Sequence, residues 1–238
     1  MILTQTFNLW WRESTNIVFF GGAGVSTASG IPDFRSAHGL YKQPSVISPE
    51  VILSASYFRE FPDLFYDYYW DHLYFPKALP NAVHNVLASE EKKGRTITII
   101  TQNVDGLHQT AGSRDVLELH GNGKTATCVR CSTKISLTDC DHHHHAPHCK
   151  CGGVFKPDIV LYEEPLDNSV FQRAQNAISG ADLLIVAGTS LSVYPAAGLI
   201  THYQGHKMVL INKTKTSMDK LADLVLHEDL TSVFSQLK

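Results

Sequence analysis

The chain has 238 residues, of which 43% are hydrophobic and 18% are charged, with a formal net charge of −3 at pH 7. This composition is typical of a globular protein and excludes a disordered chain. The small negative charge gives no general attraction to nucleic acid or to an anionic membrane surface, so we expect neither as a direct partner.

Two further features of the sequence predict the cellular compartment of the protein. No stretch approaches the roughly 20 apolar residues of a membrane span, and the beginning of the chain lacks a basic segment followed by an apolar core. Four of the five cysteines lie in two close pairs, which indicates a metal site in a reducing compartment and not a disulfide framework. We therefore expect a cytoplasmic protein.

Short apolar runs rich in β-branched residues recur along the chain between turn residues and predict buried strands. Helical patterns lie between several of them, with Asn81 and Asp167 as predicted N-caps. Strands that alternate with helices indicate an α/β fold with a doubly wound, parallel, Rossmann-like sheet. The predicted strands are residues 16–20, 96–101, 116–119, 182–187 and 207–212.

Two segments interrupt this alternation. Residues 37–78 are rich in aromatic side chains and have a helical pattern around positions 50–74, while residues 121–157 contain all five cysteines. We interpret the two segments as insertions that together form a small domain, the first its helical part and the second its zinc part. The aromatic stripe is more typical of core than of a cofactor site. The Rossmann-like domain then comprises residues 1–36, 79–120 and 158–238.

The first predicted strand leads into a glycine-rich loop at residues 21–26 (GGAGVS). Such a loop lets backbone N–H groups approach a phosphate at the start of a helix. It lacks the complete G-x-G-x-x-G pattern, and no acidic residue ends a second strand about 20 residues later, where dehydrogenases bind an adenosine ribose. The sequence thus indicates a nucleotide but argues against hydride transfer.

The next segment, residues 29–36 (SGIPDFRS), combines an acid, an aromatic ring and a cation on one predicted turn. Its Pro-Asp pair alone is typical of an ordinary turn. In a functional interpretation, Asp33 bonds a nicotinamide amide, Phe34 covers the ring or shields the reacting carbon from water, and Arg35 holds a phosphate.

Polar residues collect at the predicted carboxyl edge of the sheet, where ligands bind in folds of this class. Residues 101–108 (TQNVDGLH) follow the second strand with more polar groups than a buried strand end tolerates without a partner. Residues 118–121 (ELHG) bring His120 to the same edge. A single histidine is usually structural, but at this position His120 is a candidate general base.

Four motifs in order, spanning nearly the whole chain, resemble the sirtuins, which are NAD-dependent protein deacylases. They lie in residues 22–36, 101–108, 118–121 and 188–197 (GTSLSVYPAA). The resemblance implies that the carbonyl oxygen of an acyl-lysine attacks the nicotinamide ribose of NAD, and that nicotinamide, deacylated lysine and O-acetyl-ADP-ribose are released. It also implies that His120 is the base toward a ribose hydroxyl and that Asn103 positions ribose or water.

The resemblance extends to residues that bind the co-substrate NAD. Gln102 is expected to hold the ribose near His120, Asn212 to contact the adenosine ribose and Leu230 to lie near the adenine. Ile31 and Asp105 are expected to seat nicotinamide. The complete predicted set is Gly22, Ala23, Gly24, Thr27, Ile31, Asp33, Phe34, Arg35, Gln102, Asn103, Val104, Asp105, His120, Gly188, Thr189, Ser190, Asn212 and Leu230.

Residues 156–164 are similar to the sirtuin segment that pairs with an extended acyl-lysine peptide, a mode that recognises the peptide main chain. The family usually has Phe-Gly-Glu where this chain has Tyr162, Glu163 and Glu164. We expect the added carboxylate to favour basic residues in the peptide. The predicted substrate-binding residues are Val160, Leu161, Tyr162, Ser192, Val193 and Tyr194.

The cysteine spacing predicts one structural Zn²⁺ independently of the resemblance. Cys128 and Cys131 form a Cys-x-x-Cys pair, and Cys149 and Cys151 form a Cys-x-Cys pair. Four thiolates suit a tetrahedral site with no open position for water. Because the second pair is shorter than is common in the family, Cys140 and His148 remain alternative ligands. The histidines at 142–145 are interpreted as an exposed loop.

The acyl group is a separate question. Sirtuins that prefer succinyl or malonyl groups carry a Tyr-x-x-Arg pair that binds the distal carboxylate, but residues 65–72 (FYDYYWDH) contain no arginine. We therefore expect a neutral acyl group, with acetyl first. The alternatives are a protein ADP-ribosyltransferase, a deacylase for longer acyl groups, a dehydrogenase, or a module that binds NAD or acylated peptide without turnover.

Overall fold

The computed structural model describes residues 2–36, 39–42, 46–140 and 145–237. The strands in these ranges are β1 (Asn16–Gly21), β2 (Thr96–Thr101), β3 (Val116–Glu118), β4 (Gly121–Cys128), β5 (Lys134–Ser136), β6 (Phe155–Ile159), β7 (Leu183–Ala187), β8 (Met208–Ile211) and β9 (Leu224–Leu226).

The α-helices in the described ranges are α1 (Ile2–Glu13), α2 (Pro49–Ile52), α3 (Ala55–Glu60), α4 (Pro62–His72), α5 (Ala82–Lys92), α6 (Leu107–Ala111), α7 (Asn168–Ser179) and α8 (Leu230–Ser235). Both predicted N-caps are confirmed. The Asn81 side chain accepts from the amide of Val83 at 3.0 Å, and Asp167 accepts from the amides of Ser169 and Val170. None of the helices in these ranges is long and apolar enough to cross a bilayer.

Six strands form one parallel sheet in the order β3-β2-β1-β7-β8-β9. Side chains of each strand alternate between its faces. Ile17 and Phe19 of β1 cluster with residues of α1, α5 and α8. Val18 and Phe20 cluster with residues of α7 and the 3₁₀ segment Ala196–His202. Helices on both faces confirm the predicted doubly wound α/β fold.

The five predicted strands of this sheet are present, with ends that differ by one residue at most. The sixth, β9, was not predicted. Only Leu224, Val225 and Leu226 belong to it, and three residues are too few for a periodic pattern.

A second sheet is antiparallel, with the order β5-β4-β6. It packs against α3 and α4, whose aromatic residues form a common core with β4 and β6. Tyr66 and Tyr69 are fully buried there, and their hydroxyls donate to the main-chain oxygens of Phe155 at 2.7 Å and Gly123 at 2.8 Å. The aromatic stripe of the first insertion is therefore core.

The common core supports the proposal that the two insertions form one small domain. Strand β6 crosses the proposed boundary between residues 157 and 158, so the sheet itself extends to Ile159. The helical part is divided into three helices because Ser54 caps α3 and Phe61 precedes a proline at the start of α4. Positions 37, 38, 43–45 and 141–144 of the predicted segments lie outside the described residues.

Candidate active site

A cleft of about 1470 Å³ lies at the carboxyl edge of the parallel sheet. Its floor is formed where β1, β2 and β7 end, and β1 lies between the other two. After β1 the chain adds β2 and β3 next to one edge of this strand, and later adds β7, β8 and β9 next to its other edge. The cleft therefore lies at the topological switch point, which is the usual ligand site of open α/β sheets.

The glycine loop after β1 packs directly on the turn after β7. The amide of Gly24 donates to the carbonyl oxygen of Gly188 at 2.8 Å. Gly188 has a φ of 59°, and a Cβ there would lie 2.5 Å from the backbone nitrogen of Val25. Two 3₁₀ turns, Ala23–Val25 and Thr27–Ser29, follow the loop in place of the expected longer helix. The chain bends there because Gly30 adopts a left-handed conformation.

Ser26 connects the glycine loop to the residues after β2, and sequence reasoning did not select it. Its side chain is 1% exposed. The Ser26 hydroxyl donates to Asp105 Oδ2 at 2.6 Å and accepts from Asn103 Nδ2 at 3.0 Å. The other carboxylate oxygen of Asp105 accepts from the amide of Leu107. The hydrogen bonds hold Asn103 and Asp105 in one orientation beside the loop.

His120 follows β3 and lines the cleft. Its Nδ1 atom lies 2.9 Å from the main-chain oxygen of Gln102. A carbonyl oxygen can only accept, so Nδ1 carries the proton and Nε2 holds the lone pair in the neutral ring. Burial lowers the pKa of His120, while the bond to Gln102 opposes that shift. The ring is therefore neutral at pH 7 and can act as a base.

Thr189, Asn212 and Gln102 form a second hydrogen-bonded group. The Asn212 side chain accepts from the amide of Thr189 at 3.0 Å and donates to its carbonyl oxygen at 2.7 Å. Gln102 Nε2 donates to the Thr189 hydroxyl at 3.0 Å. Asn212 is 7% exposed, so its direct contribution in this structure is to fix the turn after β7. Its contact with an adenosine ribose stays a prediction.

Residues 33–36 and 39–41 are hydrogen-bonded to one another at the rim of the cleft. Asp33 Oδ1 accepts from the amide of Ser36, and the amides of Leu40 and Tyr41 donate to the carbonyl oxygens of Asp33 and Phe34. The rings of Phe34 and Tyr41 meet edge to face at 5.4 Å. Asp33 thus forms the turn expected of a Pro-Asp pair, and it also lines the cleft.

The opposite wall is formed by the segment after β6. The amides of Val160, Leu161 and Tyr162 donate inside the chain, to the His120 oxygen, the Glu164 carboxylate and the Leu53 oxygen respectively. These three amides are therefore not available to donate to a bound ligand.

The two glutamates of this segment are also engaged. Glu163 accepts from the amide and hydroxyl of Ser56 at 2.9 and 2.8 Å, and Glu164 pairs with Lys156 at 2.9 Å. The added carboxylate of Glu163 caps a helix, which weakens the expectation that it selects basic peptide residues.

The cleft brings together every predicted NAD-binding residue and five of the six predicted substrate-binding residues. The exception is Ser192, whose hydroxyl lies 2.7 Å from that of Ser190. Lining residues that the sequence analysis did not select include Ser26, Tyr41, His72, Lys213, Lys215 and Thr216. The roles of the predicted residues stay predictions.

A separate cluster of thiols lies at one end of the small sheet. The sulfur atoms of Cys128, Cys131, Cys149 and Cys151 all lie within 4.8 Å of one another. The 128–151 and 131–149 sulfur pairs are each 3.5 Å apart. A tetrahedral Zn²⁺ with bonds of about 2.3 Å would hold its sulfur ligands about 3.8 Å apart. The cluster therefore fits a structural zinc site.

The short Cys-x-Cys pair is accommodated by a tight turn. The amide of Gly152 donates to the Cys149 oxygen, and Gly152 adopts a φ of 83°. Neither alternative ligand belongs to the cluster within the described residues. Cys140 instead contacts the Ser136 oxygen at 3.7 Å, and His148 forms a β-bridge with Val154.

Comparison with known proteins agrees with this geometry. Residues 22–195 match the model of the Sir2 family. The chain is 50% identical over 230 residues to an NAD-dependent protein deacetylase of Clostridium perfringens, covering 95% of this chain and 94% of the relative.

Solved structures of the same class superpose closely. A complex of Sir2, a p53 peptide and NAD⁺ has a TM-score of 0.85 at 36% identity, covering 98% of this chain and 96% of the other. A Sir2 variant with deacetylated p53 peptide and 3′-O-acetyl-ADP-ribose has a TM-score of 0.88 at 36% identity with the same coverage. With the family match extending over most of its length and over the whole cleft floor, the chain belongs to the Sir2 family.

Proposed function

We propose that this chain is an NAD-dependent protein lysine deacetylase, which releases nicotinamide, deacylated lysine and O-acetyl-ADP-ribose. The observation that carries the proposal is the state of His120. Its Nδ1–H is bonded to the Gln102 oxygen, which leaves Nε2 as a basic nitrogen in a cleft large enough for a dinucleotide and a lysine side chain. The C. perfringens relative is named an NAD-dependent protein deacetylase.

NAD occupies the half of the cleft above β1, β2 and β7 in this proposal. Gly24 and Gly188 let the two turns pack closely at the floor of the cleft, where we place a phosphate. Ser26 holds Asn103 and Asp105 for the ribose and nicotinamide. His120 removes a proton from a ribose hydroxyl, for which a neutral ring is required.

The acyl-lysine peptide enters between Tyr162 and Tyr194, which are 38% and 66% exposed. Their separate segments form two sides of the cleft, so an extended peptide can pair with both. The side chains of Val160 and Tyr162 would flank the lysine. Because the amides of Val160, Leu161 and Tyr162 are already bonded, main-chain pairing at these residues would use their carbonyl oxygens as acceptors.

A small neutral acyl group fits the composition of the cleft. Residues 65–72 were compared above with the Tyr-x-x-Arg pair of other sirtuins. Their tyrosines Tyr66 and Tyr69 are hydrogen-bonded inside the small-domain core and do not line the cleft. The lining residues that are described include the cations Arg35, Lys213 and Lys215, and we assign Arg35 to a phosphate. Arg35 is the only arginine in the described lining of the cleft, so the arginine of a Tyr-x-x-Arg pair has no counterpart there, and acetyl is the favoured group.

Zinc and location complete the proposal. Four thiolates as close as Cys128, Cys131, Cys149 and Cys151 repel one another unless a cation neutralises them, and with four ligands the ion stabilises the small domain without contacting substrate. The cysteines are all free thiols. This supports a reducing compartment, and we infer the cytoplasm.

Mass spectrometry of acyl-lysine peptides tests the function. Acetyl, succinyl and longer acyl peptides are incubated with and without NAD, with wild-type protein and His120→Ala. We expect loss of acetyl only with NAD and wild-type protein, with one nicotinamide released per acetyl removed. Loss of acetyl without NAD would overturn the proposal, and transfer of ADP-ribose to the peptide would favour the ADP-ribosyltransferase alternative.

A further inference from the structure

The hydroxyls of Tyr41 and Tyr162 lie 2.6 Å apart at the rim of the cleft. The two residues are 121 positions apart in sequence and come from different walls, Tyr41 from the segment that carries Asp33 and Phe34, Tyr162 from the predicted peptide-binding segment. This hydrogen bond depends on the Tyr162 hydroxyl, at a position where the chain departs from the Phe-Gly-Glu that the sirtuin resemblance leads us to expect.

Tyr41 is a contact centre for two predicted NAD-binding residues. Its ring meets the Phe34 ring edge to face at 5.4 Å, and the Arg35 guanidinium carbon lies 5.3 Å from its centroid. The Tyr41 amide also donates to the Phe34 oxygen at 2.9 Å. Displacement of Tyr41 would therefore move both side chains.

Tyr162, by contrast, is fixed. Its amide donates to the Leu53 oxygen at 2.9 Å and its carbonyl oxygen accepts from the Ala55 amide at 3.0 Å. The next residue, Glu163, is bonded through its carboxylate to Ser56. A hydroxyl carried by such a residue is a firm attachment point for a side chain from another segment.

We propose that the Tyr41–Tyr162 hydrogen bond positions Phe34 and Arg35 for NAD and thereby joins the cofactor side of the cleft to the peptide side. This inference rests on the proposed function for its ligand. Both tyrosines are positioning residues, which act through Phe34 and Arg35. Burial raises the pKa of Tyr41, so its phenol stays protonated, and one hydroxyl can donate to the other throughout the neutral pH range.

The test is a double-mutant cycle with Tyr41→Phe, Tyr162→Phe and the double variant. Each substitution removes one hydroxyl and keeps the ring. Losing one neutral hydrogen bond corresponds to a change of roughly threefold to tenfold. We expect each single variant to raise the KM for NAD and the Kd for ADP-ribose by this factor. The double variant should equal the larger single effect, because the same bond is lost.

Tyr203→Phe is the matched control. The Tyr203 hydroxyl also forms hydrogen bonds, to the Asp182 oxygen and from the Lys207 amide, both at 3.1 Å, but Tyr203 does not line the cleft. Tyr203→Phe should leave the KM for NAD and the Kd for ADP-ribose unchanged. Unchanged Kd values in both single variants, or single effects that multiply in the double variant, would overturn the inference. ADP-ribose titration needs no turnover, so a wild-type protein that binds ADP-ribose but deacetylates nothing would contradict only the proposed function.

Discussion

The imidazole Nδ1 of His120 lies 2.9 Å from the main-chain oxygen of Gln102. One hydrogen bond thus sets the tautomer of the ring and joins the ends of β2 and β3, two adjacent strands of the sheet. The orientation of the proposed base is therefore set by a main-chain atom.

The first prediction concerns the pH dependence of turnover. Burial lowers the pKa of His120 from its usual value near 6.5, and only the neutral ring is a base. We expect kcat/KM to stay constant from pH 8 to pH 7 and to fall below pH 6.5, with an apparent pKa lower than 6.5 on the acidic side. His120→Ala should lower kcat/KM by about 100-fold to 10,000-fold. An acidic limb centred above pH 7 would contradict a buried neutral base.

The second prediction concerns the contact between the glycine loop and the turn after β7. Gly188→Ala puts a Cβ 2.5 Å from the Val25 nitrogen, so the loop must move. We expect the Kd for ADP-ribose to rise by at least about tenfold, as measured by calorimetry, because close packing is lost where the phosphate should bind.

Gly94→Ala is its control. Gly94 also has a positive φ, of 99°, but nothing lies within 4 Å of a Cβ there. This variant should lower the free energy of unfolding by about 1 kcal/mol and leave ADP-ribose binding unchanged. Equal binding by both variants would show that the packed turn does not shape the nucleotide site.

The third prediction concerns the thiol cluster. Removal of metal by a chelator, or Cys128→Ser, should unfold the small domain and abolish activity, because the binding energy of a structural zinc is folding energy. Tryptophan fluorescence follows this, since Trp70 lies in the small-domain core. Cys140→Ser should retain one bound zinc, because Cys140 lies outside the cluster. Loss of zinc from that variant would mean that the ligand set is wrong.

The fourth prediction concerns a pair of buried histidines behind the glycine loop. The rings of His84 and His108 are 4.6 Å apart, and neither nitrogen of His108 has a hydrogen-bond partner among the described residues. Burial lowers the pKa of His84 to about 4 and that of His108 to about 3. Between pH 7 and pH 5 the unfolded chain takes up protons that the folded chain does not. The free energy of unfolding therefore decreases as the pH is lowered.

Each of these two histidines should lower the free energy of unfolding by about 2 kcal/mol when the pH is lowered from 7 to 5. Denaturant titrations at pH 7 and pH 5 measure this change. Between the two pH values, the free energy of unfolding of His108→Phe should decrease by about 2 kcal/mol less than that of wild type. Phe is the substitute because His108 already packs edge to face on Phe19 at 5.7 Å. An identical loss in both proteins would contradict a buried neutral His108.

The large sheet was predictable because its strands are largely buried on both faces and consist mostly of apolar or β-branched residues, as in residues 96–101 and 183–187. The small sheet gave no such pattern. Strand β4 carries Lys124, Thr125 and Thr127, and the two threonine hydroxyls serve to bond the Asp158 carboxylate at 2.5 and 2.6 Å. Polar strand residues that form such long-range contacts look like loop residues in the sequence alone.

Long-range pairs explain what was missed in the site. Ser26 follows a recognisable glycine loop, but its partner Asp105 lies 79 positions away, and nothing local marks the bond. The burial of the Asn212 side chain in the turn at Thr189 was hidden for the same reason, at a separation of 23 residues. Motifs indicated which residues meet at the cleft, whereas their hydrogen-bond partners required the structure.

Following a labelled acetyl group tests the central claim most directly. A peptide with deuterium-labelled acetyl-lysine is incubated with NAD, and the products are identified by mass spectrometry. A deacetylase that uses His120 as base predicts that the label appears on ADP-ribose in amounts equal to the nicotinamide released, and that His120→Ala abolishes this product. Label found as free acetate from the first time point, with NAD unconsumed, would contradict the proposed function.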